Sequence, residues 1–252
     1  MKERSLIYHP SGRAGAYANG GYAANIFKGC THGCKYCYVP AFCKVDRVAF
    51  HASVTPAPNM LKRLEADMKR IGVVDEPIFL CFTCDPFCAA APTQLTLDAI
   101  KIIMASGNSV NILTKGWYVR QDAIDLLAEN PLNKFGVTLT FSTEALSSQW
   151  EPKAAIPKNR LLILRDAHHA GISTWASIEP VIIPEQSLAI MEEASPYVDE
   201  FKIGKWNHDK RANDIDWPKF VADAIALMEK LGKKYVLKGD LLKYKAVEAA
   251  KC

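Results

Sequence analysis

Three cysteines stand at C-x3-C-x2-C spacing in Cys30-Thr31-His32-Gly33-Cys34-Lys35-Tyr36-Cys37. Thiolates are the usual ligands of iron–sulfur clusters, and a cubane cluster normally takes four of them. Three thiolates on one short loop would hold three irons and leave the fourth without a protein ligand. That open position is what a metal centre needs if it is to bind and transform a substrate. Gly33 lets the loop turn through backbone angles that a side chain resists. The same residues allow other chemistry. A zinc site would use Cys30, Cys34 and Cys37 with His32 or Cys43 as fourth ligand, although zinc sites are usually built from two separated ligand pairs. Three buried, inert cysteines are the remaining reading.

The run Gly29-Cys30-Thr31-His32-Gly33-Cys34-Lys35-Tyr36-Cys37-Tyr38, with tyrosines on both sides of the last cysteine, resembles the signature of the radical S-adenosylmethionine (SAM) superfamily. It looks most like the spore photoproduct lyase-related branch. The resemblance implies a [4Fe-4S] cluster on Cys30, Cys34 and Cys37, with SAM chelated to the open iron. It implies reductive cleavage of SAM to a 5′-deoxyadenosyl radical that abstracts hydrogen from a substrate. A one-electron donor such as flavodoxin or ferredoxin is implied as partner, and Tyr36 would contact SAM.

Such a loop needs a scaffold. Apolar periodicity predicts strands over 22–27, 77–83, 110–114, 136–141, 173–178 and 200–203. Helices are predicted over 59–71, 95–104, 119–129, 159–169, 185–194 and 220–231, and a short strand over 235–238 precedes a C-terminal helix. Strand and helix alternate six times, which argues a parallel sheet with right-handed crossovers. The fold class is therefore α/β, and the resemblance makes it a partial (β/α)6 barrel of the TIM type. Residues 1–21 read as an irregular leader covering one barrel end, and 22–252 as a single core domain.

In such a barrel, chemistry gathers at the C-terminal ends of the strands. The second predicted strand ends at Thr83-Cys84-Asp85-Pro86. The resemblance makes Thr83, the Cys84 backbone and Asp85 candidates for the SAM amine, and an Asp-Pro turn is the plain structural alternative for Asp85. Strand alternation puts Cys84 on the face of Phe82 and Cys81 on the other. A thiol at Cys84, or the phenol of Tyr38, would return a hydrogen atom or electron to a product radical. Spore photoproduct lyases carry their donor cysteine where this chain has Phe82, so the donor role is not transferred by position. Lys115 matches the family's partner for the SAM carboxylate. Ser142 would hold the carboxylate or ribose, and Glu144 the ribose hydroxyls. Arg160 would brace Glu151 or the SAM carboxylate, and Ile178 would pack on adenine.

Composition limits the function class. The chain has 252 residues, 49% hydrophobic and 23% charged, with net charge +4. That suits one sizeable globular core and neither demands nor excludes nucleic acid. Nucleic acid repair or modification is favoured by the resemblance and by the lysines near the C-terminus. No apolar run suggests a signal peptide or membrane span, and eight cysteines in a chain of this length fit a reducing cytoplasm. The competing class is a zinc- or iron–sulfur-stabilised nucleic-acid-binding or electron-transfer protein without SAM chemistry.

Overall fold

The computed structural model describes residues 5–117 and 119–245. The ends of the predicted leader (1–4) and of the predicted core domain (246–252) lie outside the described residues. The described chain opens with β1 (Ile7–Tyr8) and α1 (Gly12–Tyr17), then β2 (Ala23–Ala24) and β3 (Phe27–Lys28) ahead of the cysteine loop. Two short helices, α2 (Val39–Cys43) and α3 (Arg47–Ala52), and β4 (Thr55–Pro56) lead to α4 (Met60–Ile71). Regular alternation follows: β5 (Ile78–Leu80), α5 (Thr93–Ala105), β6 (Val110–Thr114), α6 (Gln121–Ala128) and β7 (Lys134–Thr138). Next come α7 (Glu144–Trp150), α8 (Pro157–His169), β8 (Ser173–Val181), α9 (Pro184–Ala194) and β9 (Glu200–Lys205). The described chain closes with α10 (Trp217–Lys230), β10 (Lys234–Leu237) and α11 (Gly239–Lys245).

Eight strands form one sheet in the order β1-β2-β5-β6-β7-β8-β9-β10. Every neighbouring pair is parallel except β1 with β2. The predicted parallel α/β barrel is thus present, open between β1 and β10, with a seventh parallel strand, β10, beside β9.

Side chains alternate across each strand, so each strand serves two cores. Ile78, Leu80, Ile112, Phe135, Val137, Ala176, Ile178 and Ile203 face outward, buried in the large core that the helices cover. Phe79 and Trp175 face inward and form a smaller lumenal cluster with Ala23, against which Tyr17 and Phe82 pack. Trp175 fills this lumen because Gly136 gives it room: a Cβ at Gly136 would lie 2.4 Å from the indole ring. The Trp175 indole N–H donates to Asn111 Oδ1 at 2.8 Å, and the Lys202 ammonium lies 4.8 Å from the ring centre.

The leader is more ordered than its composition suggests. Asp67 on α4 accepts from the backbone N–H groups of Leu6 (2.7 Å) and Ile7 (3.1 Å) and from the Ser5 hydroxyl (2.8 Å), which fastens β1 at the sheet edge. Tyr17, at the end of α1, enters the lumen within 5.9 Å of the Trp175 ring centre. Its hydroxyl meets Ser177 Oγ at 2.6 Å and donates to Glu179 at 3.1 Å.

Three predicted strands are shorter than expected: the 77–83 run forms a strand only over Ile78–Leu80, and two others change their bounds. The 22–27 run splits into β2 and β3 at Asn25, whose side-chain oxygen accepts from the N–H groups of Phe82 (2.9 Å) and Thr83 (3.0 Å). The 136–141 run begins earlier and ends at Thr138, whose carbonyl is taken by the Arg160 guanidinium at 2.8 Å. Because Gly136 is a space reserved for Trp175, Gly136→Ala should overpack the lumen and cost about 1–3 kcal/mol. The check is the urea midpoint, which should fall with an unchanged m-value.

Candidate functional site

The cysteine loop lies between β3 and α2 and is held by its backbone and by the side chains of Thr31, His32 and Tyr36. Gly33 sits at φ +68°, with space for a Cβ limited by Pro152 at 3.5 Å. The Arg47 guanidinium donates to the carbonyls of both Cys37 (3.0 Å) and Cys34. His51 Nδ1 lies 2.7 Å from the Cys30 carbonyl. On the other side, Lys35 N–H donates to Trp150 O (2.8 Å) and Lys153 N–H to His32 O (3.0 Å). Backbone N–H groups point at two of the sulfurs, His32 N–H at Cys30 and Val39 N–H at Cys37. Burial pushes the Cys34 thiol up to about 12.

One carboxylate joins this loop to two strand ends. Asp85, buried just beyond β5, accepts from Phe87 N–H (2.9 Å), the Thr114 hydroxyl (2.7 Å) and Lys115 N–H (2.7 Å), and its second oxygen lies 2.7 Å from His32 Nε2. Burial opposes the charge on Asp85, but His32 and these donors outweigh it and hold the carboxyl at about 2. The structural alternative foreseen for Asp85 is what the contacts describe, extended from a local turn to a tie between three segments.

A second buried charge pair lies on the far side of the loop. Glu151 and Arg160 are each 1% exposed and hydrogen-bonded to one another. Arg160 also donates to Ala155 O (2.7 Å) and Thr138 O (2.8 Å), and Ser147 donates to Glu151 at 3.2 Å. The Tyr36 hydroxyl donates to Glu151, and the Lys115 ammonium stands 5.6 Å from the Tyr36 ring centre. Of the two partners foreseen for Arg160, the contacts give Glu151. Burial would discharge Lys115, yet its pKa is raised because Cys34 and Glu151 face it. Among the described residues, the half-buried Lys115 ammonium has no hydrogen-bond acceptor or ion-pair partner.

A model of the radical SAM superfamily matches residues 24–195. The chain belongs to the radical SAM superfamily. It is 27% identical to the uncharacterized protein ORF301 of Acidianus two-tailed virus, over 93% of this chain and 84% of that protein. It is also 27% identical to an uncharacterized protein of Mycobacterium tuberculosis, over 64% of this chain but 49% of that protein, so it matches about half the mycobacterial relative's length. Among solved structures it is similar to spore photoproduct lyase complexed with dinucleoside spore photoproduct (TM-score 0.64, 14% identity, 86% of this chain and 75% of that one). It is similar also to Streptococcus suis SuiB bound to the precursor peptide SuiA (TM-score 0.62, 12% identity, 86% and 48%). These structural likenesses establish a radical SAM barrel fold.

The other residues that the radical SAM resemblance singles out are distributed less evenly. Thr83 is half-buried, with its N–H held by Asn25. Strand alternation does not separate Cys81 from Cys84, because β5 ends at Leu80 and the chain is irregular beyond it. The Cys84 thiol meets Cys81, and burial together with that contact raises its pKa well above the ordinary value. Cys81 and Cys84 are themselves a second C-x2-C pair, legible directly in the sequence. Tyr38 is 45% exposed and donates to Phe82 O at 3.2 Å. Ser142 is half-buried and donates to Gln186 Oε1 at 2.8 Å, while Glu144 is exposed at the start of α7. Ile178, the candidate for adenine packing, lies on the outer face of β8. It alternates with Ser177 and Glu179, which meet Tyr17 in the lumen, and so lies fully buried in the outer core.

Two further residues join the loop, Cys88 and His32, the latter given only a zinc role by the sequence analysis. Thr31 binds Cys88 Sγ through its hydroxyl (2.9 Å) and N–H (3.3 Å), and the ligand atoms of Cys30, His32 and Cys88 lie within 4.8 Å of one another. Hydrogen bonding from Cys30 draws Cys88 down to about 5. Both nitrogens of His32 are engaged, Nε2 with Asp85 at 2.7 Å and Nδ1 with Lys153 O at 3.3 Å, and Cys43 is exposed beyond the loop. The two fourth ligands considered for zinc are thus a residue already engaged and one turned to solvent.

Arg160→Met would leave Glu151 buried and unpaired, a change that typically costs ~3–5 kcal/mol. Chemical denaturation should show that loss, and Arg160→Met combined with Glu151→Gln should recover part of it. Asp85 has a folded pKa of about 2 against an ordinary 3.8. Its contribution to stability is therefore complete above the ordinary value and disappears as pH falls through about 2. The stability gap between the wild type and Asp85→Asn should accordingly narrow between about pH 4 and pH 2 in urea titrations.

Proposed function

We propose that this chain is a radical SAM enzyme that cleaves SAM reductively at a [4Fe-4S] cluster and uses the product radical on a separate substrate. The observation that carries the proposal is a three-cysteine loop clamped through its backbone, faced by a half-buried ammonium, Lys115, that has no hydrogen-bond acceptor or ion-pair partner among the described residues. The donor set fits a cluster: three thiols on one loop, with backbone N–H groups directed at Cys30 and Cys37, as thiolate ligands favour. Cys30, Cys34 and Cys37 would hold it. When bound, the cluster supplies the electron that breaks the SAM sulfonium bond and yields a 5′-deoxyadenosyl radical able to abstract hydrogen.

The protein's own side chains then have distinct tasks. Lys115 binds the SAM carboxylate, an ammonium–carboxylate bond of the stronger, charge-assisted kind. Tyr36 orients Lys115 through its ring face while its hydroxyl is anchored on Glu151. Asp85 acts as a brace whose two oxygens already have four protein partners. Arg160 and Glu151 keep the wall behind the loop rigid. Ser142 and Glu144 remain candidates for the SAM carboxylate or ribose, and Thr83 with the Cys84 backbone for the amine. Cys84, with Tyr38 nearby, is the candidate that returns a hydrogen atom to the product.

We favour a nucleic acid substrate, for repair or modification, over a peptide. Beyond the lyase-like sequence, the support is the set of exposed lysines near the C-terminus, Lys234, Lys243 and Lys245, which suit a phosphate backbone. No helix among the described residues is long and apolar enough to cross a membrane, and we place the protein in the reducing cytoplasm.

Anaerobic reconstitution with iron and sulfide, then dithionite and SAM, should give 5′-deoxyadenosine from the wild type and none from the Cys30/Cys34/Cys37→Ala triple variant. Lys115→Met should keep the cluster absorbance but bind SAM at least tenfold more weakly, a loss of about 1.4 kcal/mol. Stoichiometric zinc with no cluster absorbance would instead sustain the metal-stabilised binding module.

A further inference from the structure

Immediately after the cysteine loop, nine consecutive residues, 41–49, are all exposed. An exposed stretch is ordinarily polar, yet this one is Ala-Phe-Cys-Lys-Val-Asp-Arg-Val-Ala. Phe42 is 72% exposed, Val45 45% and Val48 79%. Scattered apolar side chains on a surface need no explanation, but grouped ones mark interaction sites. The charges around the group are one-sided. Between residues 28 and 52 the cations are Lys28, Lys35, Lys44 and Arg47, while the sole acid is Asp46. Asp46 is itself engaged as the N-cap of α3, accepting from Ala49 N–H at 2.8 Å.

The patch is also tied to the cysteine loop. Arg47 projects from α3 to the carbonyls of Cys34 and Cys37. The α2 helix starts two residues after Cys37, so the surface carrying the apolar side chains is the outer face of the structure that holds the cysteines. The valines offer no flat face for base stacking, and Phe42 is the one aromatic among residues 41–49.

We infer that residues 41–49 of α2 and α3 are the docking surface for an acidic one-electron carrier protein. An apolar surface that carries Lys44 and Arg47, with its one acid Asp46 already engaged, suits a carrier whose redox group is ringed by carboxylates. Such contacts are small and transient, guided by charge and completed by apolar contact. In the encounter the carrier gives up one electron and the iron–sulfur centre gains it, with no group or proton transferred. This inference rests on the radical SAM function proposed above.

The test uses a bacterial flavodoxin as probe and reads binding first. Calorimetry and hydrogen–deuterium exchange on the full chain should show a complex that weakens with salt and protects residues 41–49. Phe42→Glu with Val48→Glu should weaken it by about tenfold or more, as should Lys44→Glu with Lys28→Glu. Both pairs are surface changes, and circular dichroism will verify folding. Deoxyadenosine formation should then fall when flavodoxin supplies the electron but stay at the wild-type rate with dithionite. Unchanged flavodoxin affinity in both variants, or protection elsewhere on the barrel, would overturn the assignment. So would weakened binding of a single-stranded oligonucleotide in place of flavodoxin, which would make this a substrate surface. A wild type that forms no deoxyadenosine even with dithionite would instead defeat the underlying enzyme function, whatever the binding result.

Discussion

The Asp85 carboxylate accepts hydrogen bonds from backbone or side chain at Phe87, Thr114 and Lys115 and pairs with His32. Those partners belong to the cysteine loop, the segment after β5 and the end of β6. A buried carboxylate is costly unless every lone pair is used. Here that requirement works as a constraint on position, because the charge is satisfied only when all three segments are in register. The loop that carries Cys30, Cys34 and Cys37 is therefore located by a charge it does not itself contribute. The same contacts put the Lys115 backbone against Asp85 and leave its ammonium directed toward Tyr36 and Cys34.

The opposite wall follows the same logic with different groups. Arg160 distributes its guanidinium over Glu151 and two carbonyls, one of which ends β7 at Thr138. Tyr36, placed just before the last cysteine, reaches Glu151 and so ties the loop to the segment after α7. Between the Asp85 and Glu151 anchors the loop has little freedom, while its sulfurs remain side chains on a preorganised backbone. Rigid support of this kind is what a reactive centre needs, since positional looseness at the reacting atoms costs rate.

Below this layer the barrel is filled. Trp175, Phe79 and Tyr17 occupy the lumen, with Lys202 over the indole and Gly136 leaving the space that the ring uses. Tyr17 comes from the N-terminal segment, so what reads as a leader is a plug whose hydroxyl is fixed by Ser177 and Glu179. The lumenal ends of the strands are thereby divided into a packed floor and a polar upper level where the cysteine loop, Lys115 and Glu179 stand.

The sequence by itself determined the class of the fold and the three cysteines. Period-two and period-3.6 apolar patterns are local properties, and a C-x3-C-x2-C loop with Gly33 needs no distant residue to be recognised. Lys115 was legible as a strand-end residue, and Glu151 and Arg160 as a pair leading into the next helix, though only as members of a resemblance. Tertiary structure alone decided which of them meet. The pairing of Glu151 with Arg160, the four contacts of Asp85 and the position of Cys88 beside Cys30 all join residues far apart in the chain, and no local pattern encodes them. It also decided the face of Ile178 and the meeting of Cys81 with Cys84. Both turn on where a strand ends or which way its alternation points, and a shift of one residue reverses a side chain. The order within residues 5–20 escaped sequence reading for a related reason: β1 and α1 are too short to hold themselves, and form because Asp67 and the lumen receive them.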